Sequence, residues 1–232
     1  MIHENYIKPF IKNNFFLLET PFHWTRLVNS HQTYIPTDYY IIVDNSNVFI
    51  GAQTIYDKET KSYKINPAIR VNNTKLANEL ERGKVKIDIK TRLVGGSEPS
   101  KTPRVWEEWE SCGYTCKIGE RSITGKESHL DDMLHAQIFH KLLGYNETAI
   151  TNRGRTLVLV TGDGNRNQNQ TSFPIVVETV LTRGWNVELW SWKQSLSSTF
   201  FEIQKVFPNQ MNIKYLDPYR DEITFEEKHK KK

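Results

Sequence analysis

A chain of 232 residues, 38% hydrophobic and 12% aromatic, is long enough for one large domain with its own core. It has no run near the roughly 20 apolar residues of a membrane helix, no secretory signal at its start and only two cysteines, Cys112 and Cys116. A membrane partner, a disulfide framework and a complete zinc site are therefore not expected, and an intracellular protein, cytoplasmic or nuclear, is. The net charge of +4 belongs to the end of the chain: without the four lysines of Lys228-His229-Lys230-Lys231-Lys232, 27 basic residues face 27 acidic ones.

Residues 1–38 have no clear period, yet Phe10, Phe15, Phe16, Leu17, Leu18, Phe22 and Trp24 are too apolar for a free tail. They are expected to pack on the domain as an extension. Tyr39 to Asp44 reads as a buried strand, followed by a short helix near 46–53. Residues 53–66 read as polar and irregular. Residues 67–82 read as a helix with Leu76, Ala77 and Leu80 on one face. The alternation over 84–90 predicts a half-exposed strand, and Gly95-Gly96-Ser97-Glu98-Pro99-Ser100 a loop. Residues 103–112 read as a helix with Trp106 and Trp109 on one face, and 114–118 as a strand. Residues 127–143 form the best helical pattern, with Leu130, Leu134, Ile138 and Leu142 four apart and Gly144 as the stop. Strand 156–160, helix 173–183, strand 186–192, helix 196–206 and strand 211–216 follow. Residues 219–232 read as a charged, disordered tail, which leaves 39–218 as the domain. Strands alternating with helices predict an α/β fold with a mostly parallel central sheet and helices on both faces.

Such sheets place their sites at the carboxyl ends of the strands. Two strands run into acid-plus-amide clusters: Asp44-Asn45-Ser46-Asn47 and Gly162-Asp163-Gly164-Asn165. Asp131 and Asp132 fall in the first turns of the long helix, with Glu127 one turn before. The apolar stripe leaves the rotation open by one residue; Asp131 is favoured, with Asp132 as the spare. Taken singly, each acid has a structural explanation. Acids favour the first turn of a helix, and Asp and Asn favour turns. Three placements converging on one edge shift that balance, because gathered carboxylates repel one another unless a cation neutralises them. Oxygen ligands suit Mg2+ or Mn2+.

Other motifs fail. Gly119 to Glu127 has one residue too many between its glycines for a phosphate-binding loop, and Glu127 stands where Ser or Thr would bind magnesium. His135 could line the site, but a solvated or satisfied histidine is the plainer expectation. A phosphoaspartate enzyme would want a second acid two residues after Asp44; the chain has Ser46.

The stretch Ile41-Ile42-Val43-Asp44-Asn45-Ser46-Asn47-Val48-Phe49-Ile50 resembles the opening of NYN domains, a group within the PIN-like nuclease superfamily. Gly125 to Leu134 resembles that family's second acidic motif, Thr161 to Asn165 its third, and Gly184 to Lys193 the strand after it. The likeness is strongest to fungal NYN-domain proteins and covers about residues 39–218. It implies a three-layer, PIN-like (Rossmann-like) fold and an Mg2+- or Mn2+-dependent ribonuclease acting on RNA. By motif position Asp44, Asp131 and Asp163 are implied as metal carboxylates, with Glu127 as a fourth catalytic acid.

On this reading Asn45, Ser46, Asn47, Asp132 and Asn165 would hydrogen-bond the carboxylates, waters or the phosphate. Arg121, Lys126, Arg166 and Lys193 would receive flanking phosphates. Trp192 would serve as a base platform or as core. Many family members carry a second acid at the position of Asn165; the amide brings no negative charge and weakens metal affinity. The alternative is a catalytically weak or inactive RNA-binding or scaffold module on the same fold. The oligomeric state, homodimer included, stays open.

Overall fold

The computed structural model describes residues 36–97, 104–119, 130–144, 153–165 and 171–227. The extension expected over residues 1–35 lies outside them. In chain order the elements are β1 (Thr37–Asp44), α1 (Asn45–Gln53), β2 (Thr54–Asp57), β3 (Ser62–Ile65), β4 (Ile69–Val71), α2 (Asn73–Glu81), β5 (Ile89–Ser97), α3 (Arg104–Ser111), β6 (Thr115–Gly119), α4 (Leu130–Leu143), β7 (Gly154–Val160), α5 (Phe173–Thr182), β8 (Asn186–Ser191), α6 (Thr199–Val206), β9 (Met211–Tyr215), α7 (Arg220–Ile223) and β10 (Thr224–Glu226).

Six strands form one parallel sheet in the order β6-β5-β1-β7-β8-β9. At its centre Val43 pairs with Val94 on one side and Val160 on the other. Both faces are covered, so β1 and β7 are apolar at successive positions rather than alternating with polar ones. Ile41, Val43, Val158 and Val160 point into a core shared with α1, α2 and α3; Tyr40, Ile42, Leu157 and Leu159 point into one shared with α4, α5 and α6. Full burial of one such side chain stabilises by roughly 1.5–3 kcal/mol. That exceeds the whole spread of strand propensities, about 1 kcal/mol, so two-sided packing is what fixes the strand. The architecture is the expected three-layer α/β fold.

The connections turn this sheet into a site. From β1 the chain moves outward to β5 and β6, with α1 to α3 on one face. It then returns to the other side of β1 for β7, β8 and β9, with α4 to α6 on the opposite face. The direction reverses between β1 and β7, and a crevice opens there at the carboxyl ends of the strands.

Several expectations are corrected. Residues 54–65 form an antiparallel hairpin, β2–β3, whose turn Asp57 holds by accepting from the Glu59 and Thr60 amides at 2.8 and 3.2 Å. Residues 67–82 are β4 and then α2, because the Asn72 side chain caps the helix by accepting from the Lys75 amide at 3.0 Å. The alternating run 84–90 contains a 3-10 turn at Lys86–Asp88, and β5 starts only at Ile89. Gly95 and Gly96 are strand rather than loop. A Cβ on Gly95 would stand 2.7 Å from the Leu134 side chain and one on Gly96 2.6 Å from Trp106, so these glycines let α4 and α3 approach the strand end.

The expected tail is also corrected. β10 pairs with β4, and Ile223 is buried against the core of α1 to α3. The domain therefore extends through residue 226. In the same segment the Arg220 guanidinium lies 4.1 Å from the Trp192 ring centroid, and its Nη1 donates to the Ala52 carbonyl at 2.7 Å, near the end of α1. Burial there lowers the pKa of Arg220.

Candidate functional site at the β1–β7 crevice

Asp44 is the last residue of β1 and the N-cap of α1, and it is buried, with 4% of its surface exposed. Its Oδ1 accepts from the Asn47 amide at 3.1 Å, and its Oδ2 accepts from the Thr161 hydroxyl at 3.0 Å. The cap role is real: it satisfies an amide of the first helical turn and sets a negative charge against the helix dipole. It does not explain the Thr161 bond, which ties the end of β1 to the residue just after β7.

Thr161 is fully buried and does two things at once. Its hydroxyl donates to Asp44, and its oxygen accepts from the Asp163 amide at 3.2 Å. One hydroxyl thus sets both strand-end acids. Sequence reasoning missed this residue; its only signal was a hydroxyl between an apolar strand and Gly162. Asp163 is half-buried, and its Oδ1 accepts from the Asn165 amide at 2.9 Å, an Asx-type turn that leaves Asn165 itself exposed.

The amides beside Asp44 are tied down as well. Asn47 accepts from the Gly162 amide at 2.9 Å, which joins α1 to the loop after β7. Asn45 accepts from the Trp109 indole at 3.1 Å, which joins α1 to α3. Ser46 is half-buried in the first turn of α1. The loop after β8 closes the crevice from the other side: the Ser197 amide donates to the Gly162 carbonyl at 3.1 Å. A Cβ on Gly162 would meet the Ser195 carbonyl oxygen at 2.3 Å, so only glycine fits.

On α4 the structure resolves the rotation that the sequence left open. Asp131 is exposed. Asp132 is half-buried and accepts from the Thr171 hydroxyl at 3.0 Å. The same Thr171 oxygen lies 2.9 Å from Nδ1 of His135, which is buried beside Phe173. Burial pushes the His135 pKa down to about 4, while the carboxylates of Asp132 and Asp163 pull it the other way. The α4 acid associated with this side of the molecule is thus Asp132, one residue from the favoured position.

Lys193 is exposed at the start of the loop after β8, with its backbone amide donating to Asp217 at 2.8 Å. Trp192 is fully buried and donates to the Val48 carbonyl at 2.9 Å, so it is core and not a base platform. Glu127, Arg121, Lys126 and Arg166 lie outside the described residues.

Among the described residues no three of His, Cys, Asp and Glu are gathered closely enough to hold a metal ion by themselves. The donor chemistry still fits a hard divalent cation. Mg2+ keeps several waters and takes only one or two carboxylates, and here a buried carboxylate and a half-buried one are set by a shared hydroxyl at the mouth of the crevice. No helix among the described residues is long and apolar enough to cross a membrane. In comparison with known proteins, no family model matches the chain, and no curated protein matches it significantly.

Proposed function

We propose that the chain is a ribonuclease that hydrolyses RNA phosphodiester bonds with the help of a divalent cation, on the pattern of the NYN group of PIN-like nucleases. The observation that carries this reading is the Thr161 hydroxyl, which holds the Asp44 carboxylate and the Asp163 backbone together at the β1–β7 crevice. The order of three acidic motifs along the sequence supports it.

A bound Mg2+ or Mn2+ supplies Lewis acidity toward the phosphate and a water of lowered pKa. Asp44 and Asp163 would hold the ion. Asp132, rather than Asp131, would take the third carboxylate place from α4, and Glu127 keeps its assignment as a fourth from sequence alone. Asn47 keeps the loop after β7 seated on α1, so that Asp163 does not drift from Asp44. Lys193 would meet a flanking phosphate, with Arg121, Lys126 and Arg166 assigned the same work from their place in the sequence. The substrate RNA implies a cytoplasmic or nuclear setting.

The test is cleavage of single-stranded and structured RNA with and without Mg2+ or Mn2+, in the wild type, Asp44→Asn and Asp163→Asn. The wild type is expected to cut only with metal, and each variant to lose more than about a hundredfold in rate. Metal-dependent cutting that survives both substitutions sinks the site assignment. A second reading, an RNA-binding module with a weak site, is favoured by Asn165, an exposed amide where many relatives of the resembled family carry an acid. RNA binding without metal-dependent cutting would decide for it.

A further inference from the structure

His135 lies one turn after Asp132 on α4, and 1% of its surface is exposed. Its ring stands edge-on to Phe173, with centroids 4.4 Å apart and planes at 82°. Nδ1 lies 2.9 Å from Thr171 Oγ1, and that oxygen lies 3.0 Å from Asp132 Oδ1. The protons along this line can be counted. An ionised carboxylate only accepts, so the one hydroxyl proton of Thr171 goes to Asp132. Thr171 Oγ1 must then accept from His135, which puts the imidazole proton on Nδ1. Nε2 is left as a bare lone pair, buried and without a hydrogen-bond partner.

Leucine or phenylalanine would fill this space beside Phe173 without burying an unpaired acceptor. The imidazole is therefore not accounted for by packing. What it contributes is the Nδ1–H bond, which turns the Thr171 hydroxyl toward Asp132. A carboxylate near the start of a helix has several rotamers open to it. A directed bond to Oδ1 selects one of them and gives Oδ2 a set direction.

We propose that His135 is a positioning residue: through Thr171 it fixes the carboxylate of Asp132, and it is this acid, not Asp131, that α4 presents to a divalent cation or to its waters. The inference rests on the metal-dependent reading above. Hydrogen bonds to a ligating carboxylate from the surrounding shell are worth about 10–100-fold in metal affinity, which sets the size of the expected effect.

The test uses the full chain and Mn2+ alone as the probe, with the His135 tautomer read by 15N NMR. The proton is expected on Nδ1. Thr171→Val and His135→Phe are expected to weaken Mn2+ binding about tenfold. Thr171→Ser keeps the hydroxyl and restores affinity. His135→Asn carries an amide donor near the place of Nδ1–H and restores most of it. Thr171 is exposed, so its variants report even where His135→Phe fails to fold. A proton on Nε2 overturns the relay. So does wild-type affinity in Thr171→Val when Asp44→Asn has lost the ion. Mn2+ binding that Asp44→Asn leaves untouched overturns the crevice reading instead, which keeps the two failures apart.

Discussion

Strand β1 carries an aspartate near each end, and the two are held in different ways. At the amino end Asp38 is buried and accepts from Arg153 Nε at 2.8 Å; the same guanidinium reaches Asp88 at 2.5 Å, and Lys90 lies 3.6 Å away. The two acids raise the pKa of Arg153 further. At the carboxyl end Asp44 is equally buried but is oriented by the Thr161 hydroxyl and the Asn47 amide. A guanidinium cancels a carboxylate's charge. Hydroxyl and amide donors fix its direction and leave the charge in place. The first acid serves folding; the second is set up to meet something that arrives.

The sharpest way to break this contrast is to remove each acid's setting in turn. Asp44→Asn or Asp163→Asn should abolish metal-dependent cleavage, by more than about a hundredfold, with little change in the melting midpoint. Arg153→Met should do the reverse: it leaves two buried carboxylates without their guanidinium and should lower the midpoint by roughly 5–10 °C. The folded fraction should cut RNA at the wild-type rate. Loss of cleavage in both classes of variant, at equal stability, would erase the distinction.

Gly162→Ala tests the closure of the crevice. Its methyl would press on the Ser195 carbonyl, and displacing the loop after β8 should cost about 1–3 kcal/mol in a urea melt. Thr161→Val is the finer probe. It keeps the shape, removes the shared hydroxyl, and should cost about 1–3 kcal/mol. It should also slow cleavage about tenfold, with Thr161→Ser restoring both.

The smallest expected effect is on pH dependence. The folded pKa of His135, about 4, lies below its ordinary 6.5, so the unfolded chain takes up this proton first as pH falls. The contribution is full above about pH 6.5, declines as pH falls toward 4, and then levels off. Urea melts at about pH 7 and about pH 5 should show the decline in the wild type and a shallower one in His135→Phe.

What could be read from the sequence followed from how directly each residue announces its surroundings. The run Tyr40 to Val43 is apolar on both faces, so burial between two helical layers was legible, and Asp44 at its end came with it. Gly95 and Gly96 were misread because close approach by Leu134 and Trp106 leaves the same mark in a sequence as a turn. The β2–β3 hairpin has no Asn-Gly or Asp-Gly pair at its turn; Asp57 makes that turn with its side chain. On α4, a stripe repeating every four residues drifts around the helix and leaves its phase open by one position. Only Thr171, far along the chain, settles it for Asp132. Thr161 was invisible because its work is done across strands that are 117 residues apart in the sequence.

Arg220 has a consequence for the order in which the molecule is finished. It bonds the Ala52 carbonyl near the end of the helix whose opposite end Asp44 caps. Synthesis runs from the amino end, and β1, α1 and β7 have all emerged before residue 220 exists. A ribosome-bound chain that has already made both strand-end acids still lacks the bond that steadies the far end of α1. The crevice is complete only on a nearly finished polypeptide, and a nascent chain cannot carry it in final form while still beside the message that encodes it.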